Sequence, residues 1–71
     1  MTTIERIGKN IRDKRKAKKI TLQQVAGLTG LSIATLSNIE SGKQDQKVSH
    51  LVKIGKILGE EPGSFFNSRA Q

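Results

Sequence analysis

Two helix starts, eleven residues apart with a glycine between them, limit what this chain can fold into more than any other feature. In Ile20-Thr21-Leu22-Gln23-Gln24-Val25, the Thr21 hydroxyl can accept from the amide of Gln24 while the Gln24 side chain accepts from the amide of Thr21, a capping box that opens a helix at Leu22. Ile20 and Val25 flank the cap at the spacing of a hydrophobic staple, which sets the angle at which the chain runs into the helix. The pattern returns in Leu31-Ser32-Ile33-Ala34-Thr35-Leu36, where Ser32 caps, Leu31 and Leu36 staple, and Thr35 leaves the box half made. Gly30 falls where the first of these helices must stop, a position that calls for left-handed backbone and that glycine fills at least cost. Two short helices joined by a tight turn are expected.

Apolar periodicity adds helices on either side. Ile4, Ile7 and Ile11, with Ala17 after them, draw a narrow apolar stripe along a helix from about 4 to 18. The helix capped by Ser32 runs from about 33 to 41 and ends at Ser41-Gly42, and Lys43 to Lys47 reads as loop. Val48, Leu51, Val52, Ile54, Gly55 and Leu58 supply the buried side of a further helix, which Gly59 ends before Pro62 opens a short last turn carrying Phe65 and Phe66. The expected fold class is all-α with five helices, forming one domain over 1–71: a core from 4 to 66, the capped pair at about 22–41, and a frayed tail from 67 to 71. Two aromatics and 34% apolar residues do not build an aromatic-rich sheet sandwich. Without cysteine there is no disulfide or thiolate metal site, so helix packing or self-association must supply stability.

The charge lies away from the capped pair. Arg6, Lys9, Arg12, Lys14, Arg15, Lys16, Lys18 and Lys19 stand against the single acid Asp13, so residues 6–19 alone carry +7, whereas Ile20 to Gly42 contains no Lys or Arg. A cationic stretch of this kind is drawn to a polyanion. A membrane-surface helix would set Leu, Phe or Trp opposite its charges. This one offers three Ile and no aromatic, which favours nucleic acid.

The run TLQQVAGLTGLSIATLSNIESGK, residues 21–43, resembles the helix-turn-helix of the phage-repressor and Cro family of DNA-binding domains, often called the Xre family. The likeness extends from Ile7-Gly8 and Ile11-Arg12 through Val25-Ala26, Gly30-Leu31-Ser32, Ile39-Glu40 and Gly42 to Leu51, Ile54 and Leu58. It implies a five-helix, lambda-repressor-like domain that binds double-stranded DNA, with the second helix of the pair in the major groove. Ile33, Ala34, Thr35, Ser37 and Asn38 are then the base-facing candidates. Asn pairs with adenine and apolar groups touch the thymine methyl, whereas guanine is normally read by Arg or Lys, so half-sites leaning to A·T are expected. Phosphates are expected at Thr21, Gln23 and Ser32, beside the two helix starts, and at Ser41, Lys43 and Gln44. Lys9, Asn10 and Arg12 add to the field, with helix one steering more than touching. The resemblance also pairs Arg15 with Glu40 in a partly buried, structural ion pair between helix one and the recognition helix.

Members of this type usually bind as two-fold dimers, and the expected interface uses Ile57, Pro62 and Phe66. Several positions depart from the pattern. Lys14 and Lys18 stand where Leu is frequent, Lys19 where Gly is common after helix one, Leu22 where a related type has a DNA-contacting Gln, and the 43–47 loop lacks the usual Pro. Catalysis is not expected: there is no cysteine, a single His50, no metal-ligand cluster and no phosphate-loop motif, and neither cofactor nor metal is called for. The expected function is that of a dimeric repressor or autoregulator reading a palindromic operator. The alternatives are an antitoxin-type or controller protein whose main role is a protein partner, a toxin or RNA polymerase, and nonspecific nucleoid-type binding. No run of 18 apolar residues or signal-peptide core is present, so a cytoplasmic location without a membrane partner is expected.

Overall fold

The first helix opens on a capping box of its own: Thr2 Oγ1 accepts the Glu5 amide at 3.1 Å while Glu5 Oε1 accepts the Thr2 amide at 2.9 Å. In the computed structural model, which describes residues 1–66, this starts α1 (Thr3–Ala17). The remaining α-helices are α2 (Leu22–Thr29), α3 (Ile33–Ser41) and α4 (Val48–Leu58), and a 3-10 helix spans Pro62–Phe66. Thr21 and Gln24 form the reciprocal box that opens α2, and Ser32 Oγ accepts the Thr35 amide at 3.0 Å to open α3. Gly30, Gly42 and Gly59 close α2, α3 and α4 in left-handed backbone. The frayed tail expected at 67–71 lies outside the described residues.

The structure is all-helical among the described residues, yet it has four α-helices where five helices were expected. In the fifth element the Ser64 amide bonds the Glu61 carbonyl three residues back, the 3-10 pattern. Five residues including Gly63 are too few to propagate an α-helix.

The core holds Ile7 and Ile11 of α1, Val25 of α2, Leu36 and Ile39 of α3, Leu51, Ile54 and Leu58 of α4, and Phe65. Four expected members lie outside it, Ile4 and Val52 being half-buried. Val48, the first residue of α4, is 72% exposed, and Ala17, the last of α1, is exposed as well; both sit at helix ends beyond the packed stripe. α1 packs across α3 and the 3-10 helix, while α2 packs on α3 and α4.

Close approach of α1 to α3 depends on two small residues. A Cβ added to Gly8 would overlap the carbonyls of Ile39 and Glu40. Gly42 combines a φ of 77° with a neighbour, Glu5, whose Cα would lie 2.9 Å from any added Cβ. Side-chain amides complete the frame. Gln46 Nε2 donates to the carbonyls of Ile4 at 2.9 Å and Ile39 at 3.1 Å, and Asn10 Nδ2 donates to the Phe65 carbonyl at 2.8 Å.

Candidate nucleic-acid interface

Leu36 and Ile39 anchor α3 in the core, and helical spacing then turns Ile33, Ala34, Ser37 and Ser41 to the opposite side. Ile33, Ala34, Ser37 and Ser41 are exposed, Ile33 at 44%, and Asn38 is half-buried at the edge of the same face. Thr35 stands apart. It flanks the buried side, half-buried, and its hydroxyl accepts a hydrogen bond from Ser32 Oγ at 2.9 Å. The structure thus brings Ile33, Ala34, Ser37 and Asn38 onto one face and sets Thr35 to its side.

Thr21 and Gln23 are exposed at the head of α2, with Leu22 between them half-buried against the core. Only Gln23 therefore offers a free polar side chain there. Ser32 is exposed at the head of α3, and its hydroxyl is engaged in capping. At the far end of α3, Ser41 and Lys43 are exposed and Gln44 half-buried; Ser41 Oγ donates to the Asn38 carbonyl at 3.3 Å.

Behind this face Arg15 and Glu40 meet. Arg15 Nε donates to Glu40 Oε2 at 2.6 Å and NH2 to Oε1 at 2.9 Å, a two-pronged pair whose side chains are 11% and 8% exposed. The third guanidinium nitrogen, NH1, donates to the Ile20 carbonyl at 2.8 Å, immediately before the α2 cap. One cation therefore ties α1 to α3 and to the start of α2. The bond to Glu40 raises the Arg15 pKa against the opposing effect of burial. The Ile20 contact has no sequence signature, because it depends on how the α1–α2 turn folds back.

That turn carries the one non-glycine residue with positive φ among the described residues, Lys19 at 58°. Left-handed backbone strains a residue with a Cβ. Other cations of α1 face acids: Lys9 pairs with Asp13 at 2.7 Å, and Lys14 Nζ lies 3.4 Å from Glu60 Oε1. A hydrogen bond from Ser64, joined by the charges of Lys14 and Lys18, holds the Glu60 carboxyl below its ordinary pKa. Asn10 is turned to Phe65 as described, so its carboxamide serves the fold rather than the outer field.

Of the expected self-association residues, Phe66 is 52% exposed while its neighbour Phe65 is wholly buried. Ile57 was expected on the outer side of α4; it is half-buried and packed against the core, because Leu58 and Ile54 draw that side inward. Pro62 is half-buried at a cleft shared with Val52 and Lys56. No helix among the described residues is long and apolar enough to cross a membrane.

A model of the helix-turn-helix family matches residues 11–65. The chain is 38% identical over 52 residues to the uncharacterized HTH-type transcriptional regulator RghRB of Bacillus subtilis (strain 168), a stretch covering 72% of this chain and 37% of that protein. It thus spans little more than a third of that relative's length. Its fold is similar to that of the restriction-modification controller protein C.AhdI from Aeromonas hydrophila, with a TM-score of 0.82 at 24% identity, covering 87% of this chain and 94% of the other.

Proposed function

Because the chain belongs to the Xre-like helix-turn-helix family of DNA-binding transcriptional regulators, we propose that it is a sequence-specific regulator that acts as a homodimeric repressor or autoregulator on a palindromic operator. One observation carries this reading: an exposed, uncharged face of α3, held rigidly by Leu36 and Ile39 from below and by the Arg15–Glu40 pair from behind. Ile33, Ala34, Ser37 and Asn38 meet base edges, with the Thr35 methyl reaching in from the flank. Thr21, Gln23, Ser32, Ser41, Lys43 and Gln44 meet phosphates and set the register. The domain extends over the whole chain and works in the cytoplasm, on the nucleoid when bound.

Size supports two copies. The protein measures 28 × 23 × 19 Å, whereas half-sites one helical turn apart lie about 34–36 Å from centre to centre. The two-fold contact uses Ile57, Pro62 and Phe66. Sedimentation with and without operator tests this contact, and a monomer under both conditions overturns it.

Selection from random duplexes tests the reading as a whole. Enriched A·T-leaning half-sites are the expected result. Guanine-dominated half-sites overturn the base assignments, and no enrichment overturns sequence-specific binding. A second reading has one observation in its favour, the exposed Phe66 at the end of the 3-10 helix that Pro62 opens. In it the main role is a protein partner, a toxin or RNA polymerase, engaged while on DNA. Capture of such a partner that is lost on Phe66→Ser, with duplex binding and self-association intact, would favour it.

A further inference from the structure

We propose that Arg12 grips a phosphate of the DNA backbone, making it the cation of α1 that touches the duplex rather than drawing it in from a distance. The inference deepens the DNA-binding reading and rests on it.

Arg12 lies at the seam where three helices meet. A shallow cleft of about 230 Å³ opens there, lined by Arg12 and Arg15 from α1, Leu22 from α2, and Ser37, Glu40 and Ser41 from α3. Ser37 and Ser41 belong to the exposed face of α3, so this cleft opens beside the surface assigned to the bases. Its charge is decided by pairing. Arg15 and Glu40 cancel through their two short hydrogen bonds. Arg12 is exposed, pairs with no acid among the described residues, and leaves the cleft with one uncompensated positive charge.

The cleft answers a need of the neighbouring segment. Residues 20–42 contain no Lys or Arg, so a phosphate arriving beside Ser37 and Ser41 finds hydroxyls there but no cation on α2 or α3. Arg12 supplies it from the adjoining helix, and a guanidinium can hold two phosphate oxygens at once. On its other side Arg12 shares a second groove with Lys9, Ser41 and Glu5. That groove is also lined by Met1 and Glu40, so an anion entering it meets two carboxylates, Glu5 and Glu40. The first cleft holds only Glu40, which Arg15 neutralises through two hydrogen bonds, so it is the better seat for an anion.

Position on the helix makes the inference testable against its nearest rival, long-range steering. Lys14 follows Arg12 by two residues, about 200° around the helix, and its ammonium faces Glu60. Arg12→Gln and Lys14→Gln therefore remove the same charge from the same helix on nearly opposite sides. Affinity for the selected operator is measured against salt for the parent and both variants. The expected result is that Arg12→Gln flattens the slope of log affinity against log salt by roughly 0.9, weakens specific and nonspecific duplexes alike, and leaves base preference unchanged, while Lys14→Gln keeps close to the parent slope. Arg12→Lys should retain most of the parent slope, and unchanged melting of Arg12→Gln excludes a folding effect. Equal flattening by Arg12→Gln and Lys14→Gln, or no flattening by Arg12→Gln, overturns the contact. Failure of the parent itself to select any duplex overturns instead the reading beneath it.

Discussion

α1 and the pair formed by α2 and α3 solve opposite problems. Residues 6–19 hold eight cations against one acid, and outside them five bases balance five acids, so the whole net charge is lodged along α1 and the turn that follows it. The pair has no base at all, but each of its helices starts on a side-chain cap and stops on a left-handed glycine. Charge acts over a Debye length of about 8–10 Å and tolerates misplacement, whereas base contacts depend on direction and fail with small errors of angle. The difference explains why local backbone order is concentrated in the neutral segment. It also explains why the two regions join through a buried, two-pronged ion pair rather than a flexible tether.

The strongest way to break the contrast is to cut that joint. Arg15→Ala leaves the Glu40 carboxylate nearly buried without its partner and frees the Ile20 carbonyl, and it should lower stability by about 3–5 kcal/mol. Thermal melts of Arg15→Ala, Glu40→Ala and the double variant measure the coupling, and additive losses would show that the two regions stand independently. Next in size, Asn38→Ala should reduce discrimination at one A·T position by about 1–3 kcal/mol while altering stability by no more than about 0.5 kcal/mol. Competition binding with point-substituted operators reads the first quantity and melting the second. A uniform loss over all duplexes would place Asn38 among phosphate contacts instead.

Two smaller changes sharpen the border between the regions. Lys19→Gly removes a Cβ from left-handed backbone at the α1–α2 turn and should raise stability by about 0.5–1 kcal/mol, seen as a higher Tm with unchanged operator preference. A lower Tm would mean that the Lys19 side chain contributes more than its strain costs. The smallest effect lies at His50, whose Nδ1 accepts the Lys47 amide at 3.3 Å at the head of α4. Burial first, then Lys47 and Lys53, depress its pKa below 6.5. A histidine lowered in the folded state contributes stability above its unfolded pKa and loses it as pH falls through the folded value. Between about pH 7 and pH 5 the parent should therefore lose slightly more stability than His50→Ala; parallel curves would remove His50 from the account.

What the sequence could disclose divides along the same border. Thr21 with Gln24, Ser32, Gly30, Gly42 and Gly59 mark helix ends through interactions between residues a few positions apart, so both bounds of α2 and α3 and the end of α4 are legible in order. The Thr2–Glu5 box is written at the same spacing, in Thr2-Thr3-Ile4-Glu5, and places the α1 start one residue before the apolar stripe begins. Contacts between distant residues leave no such trace. Gln46 reaches Ile4 across 42 positions and Asn10 reaches Phe65 across 55, and both read locally as ordinary polar residues. The same limit governs the candidate interface: the period of α3 gives its outward face, but the seam that brings Arg12 beside Ser37 and Ser41 exists only once α1 has crossed α3.

That crossing has a further consequence. Gly8 lets the fifteen-residue α1 rest against the final turn of α3, so the tilt of the shorter helix is set by a neighbour it cannot move without displacing. A new target sequence would have to be acquired by exchanging side chains on a fixed axis. Re-aiming the axis itself would mean rebuilding the scaffold.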